Sequence, residues 1–194
     1  LCNHDGTRRG EEFVTRKITK KVAQIVTAIR NGEDFEPLEL GNIDVHRDWS
    51  DAEDCVDAVW RMLNQEIYRS YEGKDKDLQG KKWENTYLKE YVVSSGEGHT
   101  VREFVERSFA VAGIEGEWFG SGVDEWLWYS SGPKPLPSNL CTLVKINPAF
   151  YRPADVDTLL GNSSLIRAEL DWKPKTTFSG LVDKMVKADL ARLK

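Results

Sequence analysis

Apolar residues first fall at helical spacing across residues 12–31, where Phe13, Ile18, Val22, Ile25, Val26 and Ile29 share a face. This predicts an amphipathic helix, stopped by Asn31-Gly32. Pro37-Leu38-Glu39-Leu40-Gly41 reads as a short strand. Ser50 and Glu53 then have capping-box spacing, with Asp51, Glu53 and Asp54 suited to the positive end of a helix. Val56, Val59, Trp60 and Leu63 form the stripe this helix is expected to bury. Residues 66–90 are polar, lysine-rich and aperiodic, and read as a surface insertion. Tyr91-Val92-Val93-Ser94 is a candidate strand, turning at Ser95-Gly96-Glu97-Gly98. Thr100 and Glu103 make a second capping box, opening a helix through Val101, Phe104, Val105 and Phe109. Residues 120–140, with glycine, serine and proline around Trp126 and Trp128, read as a second surface insertion. Thr142-Leu143-Val144-Lys145-Ile146 is a strand, and helices follow at 162–170 and 179–193, separated by Trp172-Lys173-Pro174. Strands alternating with helices predict a mixed α/β fold with a mostly helical last third.

Composition narrows the partners. The 194 residues carry a net charge of −5, which disfavours nucleic acid as the main partner. A local cluster of cations within an acidic chain points instead to a small anion. No apolar run approaches the ~20 residues of a bilayer span, so no membrane partner is expected. Cys2, Cys55 and Cys141 are odd in number and widely spaced. They read as free thiols of a reducing, cytoplasmic compartment. Leu1-Cys2 looks like the last apolar turn of a strand begun upstream, so a C-terminal piece of a larger protein is expected.

Catalytic and metal chemistry find little support. Gly113, Gly116 and Gly120 have the wrong spacing for a dinucleotide turn and follow a helix. No Tyr has a Lys four residues on, and no Gly-x-Ser-x-Gly elbow is present. His4, His46 and His99 lack metal-ligand spacing. Binding chemistry is denser. Asn3, His4, Arg8, Arg9, Arg16 and Lys17 gather around Gly6 and Gly10 at the predicted start of the first helix. Forked guanidinium donors and free helix amides both suit phosphate oxygens. A solvated basic loop is the competing reading, and the residues alone leave both open. Arg47 could serve an anion at the positive end of the helix after Ser50, although an ion pair with Asp48 or Asp51 is the simpler reading. Arg152 is either an ordinary partner for a nearby Asp or a second phosphate clamp, with Asp155 free to accept from hydroxyls.

Several segments, in this order, resemble the C-terminal half of the GDP-mannose 4,6-dehydratase family, extended short-chain dehydrogenases/reductases acting on nucleotide sugars. They are Asn3-His4 with Arg8-Arg9-Gly10 and Phe13-Val14-Thr15-Arg16-Lys17; Leu40-Gly41-Asn42-Ile43-Asp44 with Arg47-Asp48-Trp49; and Thr100 through Glu106. Tyr151-Arg152-Pro153, Leu160-Gly161, Leu170-Asp171-Trp172-Lys173-Pro174, Leu181-Val182 and Met185-Val186 complete the set. The first string is highly specific to this family; the tail is shared across extended dehydrogenases.

The resemblance implies an α/β fold, the C-terminal portion of an NAD(P)-binding Rossmann-like enzyme. Most of the Rossmann domain would be absent from this chain. Residues 1–194 would form the substrate-binding portion, with 1–60 including elements that pack on that domain. It implies a lyase that converts GDP-mannose to GDP-4-keto-6-deoxymannose, on the route to GDP-fucose, with recycled NADP. His4 and Arg9 would contact NADP. Asn3, Val14, Lys17, Arg47, Arg152 and Asp155 would contact GDP-mannose. Arg8 would serve either ligand or a subunit contact in a homodimer or homotetramer. The family's catalytic groups lie upstream of the matching segments, so this chain alone would be inactive. Two departures stand out: Asp5-Gly6-Thr7 replaces the usual Glu-Ser-Pro, and Asp155 replaces Glu. Another nucleotide-sugar dehydratase or epimerase, or a non-catalytic nucleotide-sugar or protein-interaction module, are the alternatives.

Overall fold

A computed structural model describes residues 3–64, 90–151 and 156–193. Its main core lies between a four-stranded sheet and three helices. β2 (Leu38–Leu40) runs parallel to β8 (Thr142–Ile146), with Leu38 opposite Val144. β7 (Trp126–Ser131) pairs antiparallel with β8 on one side and with β6 (Glu115–Phe119) on the other. α1 (Val14–Asn31), α3 (Val101–Val111) and α5 (Phe178–Arg192) complete the core with Ile18, Val22, Ile25, Phe104, Phe109 and Met185. α1 stops at Gly32, whose left-handed backbone (φ 76°) lets its N–H reach the carbonyls of Ala28 and Ile29. At α3, the Thr100 hydroxyl accepts from the Glu103 N–H and the Glu103 carboxylate accepts from the Thr100 N–H, both at 3.1 Å.

Two smaller sheets carry several of the candidate residues, Asn3, His4 and Arg47 among them. β1 (Asn3–Asp5) lies parallel to β4 (Trp49–Asp51), with His4 opposite Ser50. β3 (His46–Arg47) sits between antiparallel β5 (His99–Thr100) and parallel β9 (Thr158–Leu159). Asp48 joins β3 to β4 and is fully buried. Its carboxylate accepts from the Ser95 N–H (2.9 Å) and hydroxyl (2.6 Å), the Gly96 N–H (3.0 Å) and the Gly161 N–H (3.2 Å). One residue on, Trp49 packs edge-on against Phe104 and stacks with Phe178.

Five sequence expectations need correcting. Within residues 120–140, Trp126–Ser131 is an interior strand of the four-stranded sheet. Leu127 and Tyr129 alternate into the core, and aromatic, β-favouring side chains outweigh the surrounding glycines and prolines. Ser50 belongs to β4, so the cap of α2 (Ala52–Leu63) is Asp51, which accepts from the Glu53 N–H. The predicted stripe of α2 faces outward: Val56, Trp60 and Leu63 are 66–70% exposed and Val59 39%. The buried side holds Asp54, Cys55 and Ala58. Asp54 sets that orientation, because its carboxylate accepts from the N–H groups of Lys175 and Thr176 while its carbonyl accepts from the Trp172 indole. Trp172, Ile166 and Val93 pack there as a second core. Residues 91–94 join no strand, although Val93 and Ser94 are buried. Phe13 precedes α1 in extended backbone and stays partly exposed. Cys55 and Cys141 are both buried, and Cys141 is a free thiol. Leu1, Cys2 and all of the 66–90 insertion except Glu90 lie outside the described residues.

Replacing Asp48 by Ala strands the N–H groups of Ser95, Gly96 and Gly161. A buried donor without an acceptor costs about 1–3 kcal/mol. Urea unfolding of Asp48→Ala is therefore expected to show a loss of about 3 kcal/mol or more; a loss under about 1 kcal/mol would contradict this role.

Candidate binding site

Helix geometry divides the Val14-Thr15-Arg16-Lys17 string into two faces. Thr15 and Arg16 turn inward. The Thr15 hydroxyl donates to the buried Asp5 carboxylate, and Arg16 pairs with Asp189 of α5. Asp189 also accepts from Thr19 (2.7 Å) and Arg192 (2.6 Å), so this charge is enclosed by donors. Val14 and Lys17, three residues apart, share the other face. Both line a cavity of about 520 Å³, together with Arg47 from β3 and Phe150 and Tyr151 from the segment after β8.

Lys17 is half-buried, with its ammonium 3.9 Å from the centre of the Phe150 ring. Burial pushes its pKa down, against an opposing pull from the Glu39 carboxylate. Glu39 itself is held below the usual carboxylate range by hydrogen bonds from Lys145 and Asn147. The Arg47 guanidinium donates to the carbonyls of His46 (2.8 Å) and Val156 (2.6 Å). The simpler ion-pair partners are engaged elsewhere: Asp48 as above, and Asp51 by the Glu53 N–H and the Lys184 ammonium at 2.9 Å. Arg152 and Asp155 lie outside the described residues. Residues on both sides of them reach the site: Tyr151 lines the cavity and Val156 holds Arg47.

A second, smaller cavity of about 220 Å³ is lined by His4, Arg8, Arg9 and Lys184, with Asp5, Asp51 and Glu53. The Arg9 guanidinium lies over the Phe13 ring and pairs with Asp5 at 3.2 Å. Burial raises the Asp5 pKa, opposed by the Thr15 hydrogen bond and Arg9. The start of α2 belongs to this cavity, so Arg47 faces a different space from that helix end. Asn3 pairs with Trp49 in β1 and lines neither cavity. Phe150 escaped the sequence reading; its signal is an aromatic residue closing a proline-led turn, Pro148–Phe150. Among the described residues, no group of three His, Cys, Asp or Glu side chains could hold a metal ion, and no helix is long and apolar enough to cross a membrane.

A family model described as GDP-mannose 4,6 dehydratase matches residues 1–185. A relative of that name from Drosophila melanogaster is 41% identical over 190 residues, covering 98% of this chain and 40% of the relative. One from Dictyostelium discoideum is 40% identical, covering 100% of this chain and 46% of the relative. The chain thus spans less than half the length of the curated relatives it matches. Among solved structures, RMD from Pseudomonas aeruginosa complexed with NADPH superposes with a TM-score of 0.62 at 20% identity, over 98% of this chain and 46% of that one. UDP-glucose 4-epimerase from Thermotoga maritima with UDP-glucose gives 0.61 at 15%, over 100% and 45%. These likenesses show a mixed α/β fold shared with part of each of these longer enzymes.

Glu39 anchors Asn147, which opens the turn that carries Phe150. Its folded pKa is depressed, so its stabilising contribution is present above the ordinary value of 4.5 and is lost as pH falls through the folded pKa. Glu39→Gln should lower the urea midpoint at neutral pH, with the gap to wild type narrowing in acid. A gap that keeps its full size as acid unfolds both proteins would contradict this.

Proposed function

This chain belongs to the GDP-mannose 4,6-dehydratase family, and we propose that it supplies the nucleotide-sugar-binding half of such an enzyme. The reaction is the conversion of GDP-mannose to GDP-4-keto-6-deoxymannose, through oxidation at the sugar C4, loss of water across C5 and C6, and reduction at C6. The observation that carries this reading is the shared cavity of Val14, Lys17 and Arg47, drawn from separate elements. Its volume of about 520 Å³ suits a small-molecule ligand. Lys17 offers a compact charge and Arg47 a fork of donors, which together suit the oxygens of a diphosphate. Arg152 and Asp155 would extend this grip from the adjoining segment. Asn3, in β1, would contact the sugar as well, although it lines neither cavity.

The cofactor in this reading is a nicotinamide dinucleotide, specifically NADP. The Pseudomonas aeruginosa neighbour is described with NADPH, which supports the nicotinamide class. When bound, the group takes up a hydride from the sugar and gives it back. One end of it would meet the 220 Å³ cavity, where His4, Arg8 and Arg9 offer donors beside the Asp5, Asp51 and Glu53 carboxylates, a space too small for a whole dinucleotide. His4 and Arg9 would hold that end, with Arg8 serving ligand or subunit contact.

Catalytic groups would come from a Rossmann domain outside this chain. The outward apolar face of α2 and the parallel β1–β4 pair would seat it, since parallel strands are ordinarily covered on both faces. The complete enzyme would work in the cytoplasm as a homodimer or homotetramer.

In the complete enzyme, Arg47→Ala removes a charge-assisted hydrogen bond worth about 1.5–3 kcal/mol. The KM for GDP-mannose should rise roughly 10- to 100-fold. Product formation is followed by the mass loss of one water. An enzyme that leaves GDP-mannose unchanged, or dehydrates UDP-glucose equally well, would overturn the proposal.

A further inference from the structure

We infer that Phe150 is a positioning residue that holds the Lys17 ammonium towards the larger cavity, a role that rests on the diphosphate reading of that site. Phe150 is 47% exposed, so burial alone does not account for its place. Polar and steric constraints fix it. The Asn147 N–H donates to the Leu40 carbonyl (2.7 Å), the Asn147 side chain reaches Glu39 (2.7 Å), and the Phe150 N–H donates to the Asn147 carbonyl (3.0 Å). Gly41 admits the Phe150 backbone, because a Cβ there would lie 2.4 Å from the Phe150 carbonyl oxygen.

Lys17 has two places to go. It lines the 520 Å³ cavity with Arg47, and also a neighbouring cavity of about 370 Å³ with Glu11, Lys20, Lys21 and Glu39. Phe150 lines both, so its ring stands at the division between them. On the far side, Glu39 attracts the ammonium, but its carboxylate is engaged by Lys145 and Asn147. Among the described residues Lys17 makes no salt bridge. The face of the Phe150 ring, its centre 3.9 Å from the ammonium, attracts it instead. A ring face attracts a cation without forming an ion pair with it, so the Lys17 ammonium is left for an incoming anion. Leu at position 150 would lose this attraction and free Lys17 to turn towards Glu39; Tyr would preserve it.

Two readouts test this. Lysine-selective carbon-13 NMR of the unliganded chain reports the ring current on the Lys17 ε-methylene, and calorimetric titration reports affinity for GDP. Phe150→Leu should abolish the upfield shift and weaken GDP binding about three- to tenfold. Phe150→Tyr should keep both, within twofold for affinity. In a Lys17→Ala background, Phe150→Leu should cause no further loss, which a merely structural role would not predict. A Lys17 resonance unmoved by Phe150→Leu overturns the inference, as does unchanged GDP affinity in that variant while wild type binds. Wild type that binds no GDP removes the diphosphate reading and this role together, and the NMR shift still reports whether the ring contact exists.

Discussion

The buried Asp48 carboxylate is the constraint on which the site depends. Four donors from residues 95, 96 and 161 converge on it and draw separate segments of chain to one point. Its two neighbours are thereby sent in opposite directions. Trp49 enters the aromatic cluster with Phe104 and Phe178, and Arg47 turns to the cavity. A buried carboxylate is costly unless its lone pairs are filled, so the arrangement is all-or-none. It also keeps Asp48 from pairing with Arg47, whose guanidinium instead donates to the carbonyls of His46 and Val156.

The same logic governs the start of α1. Thr15 donates a hydrogen bond to buried Asp5 and Arg16 pairs with buried Asp189, fixing the rotation of the helix against β1 and α5. That rotation delivers Val14 and Lys17 to the cavity. Core-facing and cavity-lining residues therefore interleave within four positions, and neither pair can be moved without the other. Gly41 and Asn147 do the corresponding work on the far wall, where close backbone approach sets Phe150 against Lys17.

Local signals in the sequence were legible where their partners are local. The Thr100/Glu103 capping box closes within four residues, Gly32 ends α1 at the predicted stop, and β8 spans the predicted residues. Signals with distant partners were not. Periodicity identified the apolar stripe of α2 but not the side that faces inward, because that is decided by Asp54 and backbone N–H groups more than 100 residues away. β7 was hidden in a glycine- and proline-rich stretch, since its alternation gains meaning only between β6 and β8. The pairing of Lys17 with Arg47 came from the family resemblance; spacing 30 residues apart carries no such information. Phe150 needed the turn at residues 147–150 and its contact with Gly41, which only the fold supplies.

The central claim is that Val14, Lys17 and Arg47 grip one diphosphate-bearing ligand. Titrating the nitrogen-15-labelled chain with GDP tests it most directly. The account predicts that the resonances of Val14, Lys17, Arg47 and Tyr151 move together and fit a single affinity. Shifts confined to His4, Arg8 and Arg9, or different affinities for Lys17 and Arg47, would contradict it.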